Sequence, residues 1–96
     1  MTTSPAPVVR LELPSFLRTV AGWTRIDVEG RTIGEALEAA FTRTPPLRHH
    51  LTLASGEIRP HILCILNEET LPRNAILATR LSDGDEILIH QAISGG

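Results

Sequence analysis

The stretch Arg25-Ile-Asp-Val-Glu-Gly30-Arg-Thr-Ile-Gly-Glu35-Ala-Leu-Glu-Ala-Ala40-Phe-Thr-Arg43 contains a change of period, and that change decides the fold. Residues 25–29 alternate, with Ile26 and Val28 on one side and charged residues on the other, as a half-buried strand does. Gly30 breaks the pattern. Thr32-Ile-Gly-Glu35 then reads as a capping box, in which the Thr32 hydroxyl accepts from the Glu35 amide and the Glu35 carboxylate reaches back to the Thr32 amide. Apolar residues follow at 33, 36, 37, 40 and 41, the stripe of an amphipathic helix. Glu35 and Glu38 lie toward its start and Arg43 toward its end, which suits the helix dipole. Pro45 and Pro46 stop it at about Thr44.

Upstream, Val9, Leu11 and Leu13 alternate with Arg10 and Glu12, so a second strand precedes the first and the two are close enough to pair as a hairpin. Residues 1–7 read as a flexible leader. After Pro14, Phe16 and Leu17 are expected to enter the core from a short turn closed by Gly22. Downstream, Leu47 to Leu53 suggests a short helical turn, and Ile62 to Leu66 is a continuous apolar run. Such a run fits a central strand covered on both faces, or one whose outer face meets a partner. Asn67 to Thr70 reads as a turn. Ile76 and Leu77 are expected in a short edge strand. Ser82-Asp-Gly-Asp85 is a turn signal before a last strand, Glu86 to Ala92. The order is strand, strand, helix, strand, weak strand, strand. A mixed sheet of four to five strands with one main helix on one face accounts for it, an α+β arrangement of β-grasp (ubiquitin-like) type. The expected domain spans 8–92, followed by a flexible tail at 93–96.

The chain has 96 residues, 42% of them hydrophobic, with 9 basic and 11 acidic side chains and a net charge of −2. One domain of this size has a stability of roughly 5–14 kcal/mol. The balanced charge argues against nucleic acid or a membrane surface as a partner. No apolar run approaches the ~18 residues a membrane span needs, and the start is no secretory signal. One cysteine, Cys64, excludes an internal disulfide. The expected compartment is therefore the cytoplasm. All nine basic residues are arginine, a bias that codon usage in a GC-rich genome would produce. A chain without lysine has no phosphate-binding GK[ST] loop and no Schiff-base chemistry.

Candidate sites within the chain are few. His49 and His50 are adjacent and cannot share a helix face as a metal pair, and neither His61 nor His90 has ligands at metal-binding spacing. Cys64 lies among aliphatic residues, where a thiol is an inert hydrophobe. The Ser, His and Asp residues form no local catalytic signature. The remaining feature is the run Ala92-Ile93-Ser94-Gly95-Gly96. Glycine has no β-carbon, so such a tail can thread a narrow channel. Five extended residues reach roughly 16 Å. A terminal carboxyl titrates near pH ~3.5 and is ionised at neutral pH, ready to attack the α-phosphate of ATP held by another enzyme.

These features resemble the ubiquitin-like sulfur carriers of the MoaD/ThiS family, including the CysO type. The residues that carry the resemblance are Leu13-Pro-Ser-Phe-Leu-Arg18, Arg59-Pro-His61, Asn67, Asp83-Gly-Asp85 and Ile93-Ser-Gly-Gly96. His90-Gln91 departs from it, because many relatives carry an aliphatic residue and proline there. The resemblance implies a carrier cycle. A ubiquitin-activating-type adenylyltransferase spends ATP to adenylate Gly96, a sulfur donor converts the acyl adenylate to a thiocarboxylate, and a biosynthetic enzyme accepts the sulfur. The acceptor product is molybdopterin, cysteine, thiamine or a thio natural product. The chain then has no catalytic residue, metal or bound cofactor of its own. Gly96 carries the sulfur, and Gly95, Ser94 and Ile93 form the tail. Strand parity predicts a partner-binding face of Leu63, Ile65, Leu88 and His90, with cover by the 44–60 segment or by a second copy as the alternatives. The rival function is a ubiquitin-like modifier joined through Gly96 to target lysines. A structural subunit with an inert tail is the third reading.

Overall fold

The computed structural model describes residues 5–92. Five strands form one mixed sheet: β1 (Val8–Glu12), β2 (Arg25–Glu29), β3 (Ile62–Leu66), β4 (Glu69–Thr70) and β5 (Glu86–Gln91). Their spatial order is β2-β1-β5-β3-β4. β1 and β2 form the expected antiparallel hairpin. β5 inserts beside β1, parallel to it, and pairs antiparallel with β3 on its other side. The last strand is therefore the central one, and β3, with its longer apolar run, lies one place nearer the edge.

Period two accounts for the sheet's two faces. Val9, Leu11, Ile26, Val28, Ile62, Cys64, Ile87 and Ile89 are buried on one face. Against it packs α2 (Ile33–Arg43), which buries Ile33, Ala36, Leu37, Ala40 and Phe41. The Thr32 hydroxyl accepts from the Glu35 amide at 3.2 Å, as the capping box requires. The reciprocal bond differs from expectation: the Glu35 carboxylate takes the amide of Arg31, at 3.0 Å, in place of that of Thr32. Gly30 has a steric role, since a β-carbon there would lie 2.5 Å from the backbone nitrogen of Ala36.

Three other expectations are corrected. The segment after Pro14 is a helix, α1 (Ser15–Ala21), which ends on Gly22 at φ 79, a left-handed position that glycine adopts without cost. It buries Leu17 but turns Phe16 outward, 42% exposed. Ile76 and Leu77 form no strand. A 3-10 turn at Arg73–Ala75 drops Ile76 into the core and leaves Leu77 at the surface. The fifth strand is β4 instead, folded back on β3 through Asn67 and Glu68, at φ 48 and 72. Positive φ at both loop residues is the geometry of a type I′ hairpin turn. The 44–60 segment contributes α3 (Leu47–Leu51). It packs against α1 and α2 and so belongs to the helical layer and not to the opposite face of the sheet.

Asn67, Asp83 and Asp85, three of the residues that carry the family resemblance, hold the start of β5 in place through hydrogen bonds. Asp85 accepts from Asn67 Nδ2 at 3.0 Å and from the Ser82 amide at 2.8 Å. Asn67 in turn accepts from the Glu86 amide at 2.9 Å, and Asp83 accepts from the Val8 amide at 2.9 Å. These bonds link the β3–β4 turn, the turn before β5 and the start of β1.

Candidate functional site: the outer face of the sheet

The four residues predicted from parity lie together. Leu63 is registered opposite His90, and Ile65 opposite Leu88. Leu63, Ile65 and Leu88 are half-buried, and His90 is exposed. Their neighbours in sequence, Ile62, Cys64, Ile87 and Ile89, fill the core behind them, so the patch stands on a rigid base. The rest of this face, on β1 and β2, is polar apart from Val8, which is 42% exposed at the start of β1. Arg10 meets Asp27 at 3.6 Å, and Arg25 meets Glu12 at 3.4 Å. Such exposed pairs contribute little to stability, on the order of 0–1 kcal/mol each. The face is thus divided into an apolar half on β3 and β5 and a charged half on β1 and β2.

Phe16 enlarges the apolar half. It shares a shallow hollow with Leu13, Arg18, Leu88, His90 and Gln91. Val20, one helical turn further along α1, is also exposed at 37%. The sequence reading placed Phe16 in the core. The signal that could have corrected it is the spacing of Leu17 and Ala21. Leu17 and Ala21 form one i, i+4 pair and Phe16 and Val20 another, and α1 turns the first pair inward.

The patch lies at the end of the sheet where β5 finishes. Gln91 is registered opposite Ile62, and the Ala92 amide donates to the His61 carbonyl at 2.7 Å. Pairing to β3 therefore continues to the last described residue, next to Leu63 and His90. Ile93, Ser94, Gly95 and Gly96 lie outside the described residues.

The other candidates are not brought into a site. Among the described residues, no group of three or more His, Cys, Asp or Glu side chains is arranged to hold a metal. No described helix is long and apolar enough to cross a membrane. Cys64 is 1% exposed, and desolvation by burial pushes its thiol up to about 12 from an ordinary value of 9.0. That difference lowers the thiolate fraction about a thousandfold at neutral pH. Alkylation by iodoacetamide at pH 8 is therefore expected to be at least ~100-fold slower in the folded protein than in denaturant. Equal rates, measured by mass spectrometry, would show that the thiol is accessible.

With this geometry in hand, comparison with known proteins is decisive. The ThiS family model matches residues 11–96. The chain belongs to the ThiS family. The match spans the sheet, the helix, the Asp83-Gly-Asp85 turn and the terminal glycine pair. Over 83 residues the chain is 35% identical to small archaeal modifier protein 1 of Haloferax volcanii, covering 83% of this chain and 91% of that protein. A crystal structure of that modifier superposes with a TM-score of 0.79, at 28% identity, covering 93% of this chain and 99% of the other. A chain in the crystal structure of the Amycolatopsis orientalis BexX/CysO complex superposes with a TM-score of 0.81, at 25% identity, covering 92% and 99%. The β-grasp, ubiquitin-like fold of this ThiS-family member is shared with these structures. The family comprises small ubiquitin-like carrier and modifier proteins.

Proposed function

We propose that this chain is a protein-bound sulfur carrier of the cytoplasm whose Gly96 carboxyl is the reactive group. The observation that carries the reading is the extent of the family match, which continues past β5 through Gly95 and Gly96. The exposed apolar patch at the end of β5 supports it, since exposed apolar surface commonly marks a protein interface. A ubiquitin-activating-type adenylyltransferase docks on Leu63, Ile65, Leu88, His90 and Phe16 and receives Ile93-Ser-Gly-Gly96 in its active site. A Gly96 carboxylate oxygen attacks the α-phosphorus of ATP, and pyrophosphate leaves. A sulfide equivalent from the sulfur donor attacks the acyl carbon, AMP leaves, and a thiocarboxylate remains. A biosynthetic enzyme then takes the sulfur. ATP and all the catalytic groups belong to the partners, and this chain is their cosubstrate.

A second reading has its own support. The 35% identity to a small archaeal modifier protein favours attachment through Gly96 to amines of other proteins. Both readings need the same activation and differ in the product. The test is an intact mass of protein purified from its host, or incubated with the adenylyltransferase, ATP and sulfide. The carrier reading expects a mass gain equal to exchange of one oxygen for sulfur, localised to Gly96. Gly96 found in isopeptide linkage, with no thiocarboxylate, would replace it with the modifier reading. An unmodified mass with a competent activating enzyme would sink both and favour an inert tail.

A further inference from the structure

The 96 residues contain nine arginines and no lysine, and the structure separates the positions that require arginine from those that do not. Arg48 grips the Glu38 carboxylate through two nitrogens, at 2.8 and 2.6 Å, and lies 4.8 Å over the Phe41 ring. Arg73 forks onto the carbonyls of Arg59 and Ile58, at 2.9 and 2.6 Å. A point-like ammonium cannot reproduce either arrangement. Arg10 and Arg25 differ. Each meets its carboxylate at 3.6 and 3.4 Å on exposed surface, where lysine would pair equally well. Arg43 and Arg80 are likewise exposed. Folding therefore accounts for arginine at some of the nine positions and leaves the exclusion of lysine from the others unexplained.

We propose that the side-chain surface of this protein is kept free of the amine and thiol nucleophiles that would hold its own activated carboxyl in a lasting bond. This rests on the reading of Gly96 as an acyl group activated by a partner. An activated acyl carbon is attacked by a neutral amine. The C–N bond forms, the bond to the leaving group breaks, AMP or a thiol departs, and the amine proton passes to solvent. Guanidinium stays protonated and has no lone pair to offer. Serine and threonine hydroxyls are weak nucleophiles without an adjacent base. The single thiol, Cys64, is registered opposite Ile89 on the core face of the sheet and is 1% exposed. Lysine and cysteine, the two side chains that would trap the acyl group, are thus respectively absent and enclosed, and the four exposed histidines can form only an acyl imidazole, which water or sulfide cleaves again. The activated end survives for the partner's sulfur, and in the modifier reading the chain can be attached to a target without itself being extended through a side chain.

The test needs no activating enzyme. The protein is produced with Gly96 as a mercaptoethanesulfonate thioester by intein cleavage, alongside the double variant Arg43→Lys/Arg80→Lys. Both positions are exposed and remote from the apolar patch. The two proteins are held at millimolar concentration and mildly alkaline pH and followed by intact mass and peptide mapping, with circular dichroism confirming the fold. Both proteins are expected to hydrolyse and to form the same adduct at the α-amine, and side-chain adducts mapped to positions 43 and 80 of the variant are expected to exceed all side-chain adducts of the wild type at least about tenfold. Equal side-chain adduct levels would overturn the proposal, as would wild-type adducts mapped to a side chain, Cys64 included. Because activation is supplied chemically, an unmodified Gly96 in the host would count against the functional reading alone.

Discussion

Substituting Leu88 with arginine is expected to reduce activation of the carboxyl terminus by ~30-fold or more while leaving the fold intact. Leu88 lies at the middle of the outer face, between Ile65 on β3 and Glu12 on β1, and borders the hollow that holds Phe16 and His90. A central apolar residue of a docking surface typically contributes ~2–4 kcal/mol when lost. A charge placed there must in addition be desolvated. Arginine is the right replacement because Glu12 stands beside it on β1 and can pair with it, so the cost to folding should stay near the ~0.5 kcal/mol of an ordinary surface change. ATP–pyrophosphate exchange with the cognate adenylyltransferase reads the first effect, and calorimetry reads the second. Exchange unchanged at subsaturating protein would remove this face from the activating interface.

The parity argument that selects Leu88 was available in the sequence because the pattern is local. Alternation at 8–13 and 25–29, the Thr32 cap and the stripe from Ile33 to Phe41 each lie within a few residues of chain, and each appears in the structure as read except for the reciprocal bond of the cap, which goes to Arg31. Long-range features were not readable in that way. Nothing local in Glu86 to Gln91 says that this strand lies between β1 and β3. β4 has two residues, too few to show a period. Phe16 is apolar, and its position in the core was assumed from chemistry alone. Which side of a seven-residue helix is buried depends on how it docks on distant parts of the chain, and α1 docks with Leu17 inward and Phe16 outward. The motif residues Asn67, Asp83 and Asp85 were legible as a resemblance, but their role was not. The structure shows them hydrogen-bonded where the β3–β4 turn, the turn before β5 and the start of β1 meet, which fixes the start of β5.

Ile89→Ala, one residue along the same strand, should have the opposite profile. Ile89 points into the core, is 1% exposed and is registered opposite Cys64. Removing its outer methyl groups leaves a cavity behind the central strand, and such substitutions cost ~2–5 kcal/mol. A domain of this length has only roughly 5–14 kcal/mol in total. The melting temperature should therefore fall by at least ~10 °C, since about 1 kcal/mol corresponds to ~4–8 °C at this size. Ile89→Val, which removes one methylene, should fall by a third of that or less. Below its melting temperature the alanine variant keeps Leu63, Ile65, Leu88 and His90 in register, so its pyrophosphate exchange should match that of the wild type. The pair Leu88→Arg and Ile89→Ala then separates the two faces of β5, one reporting on docking and the other on stability. If Ile89→Ala lowered exchange at a temperature where it remains folded, the two faces would be coupled, and packing behind the patch would have to be counted as part of the interface.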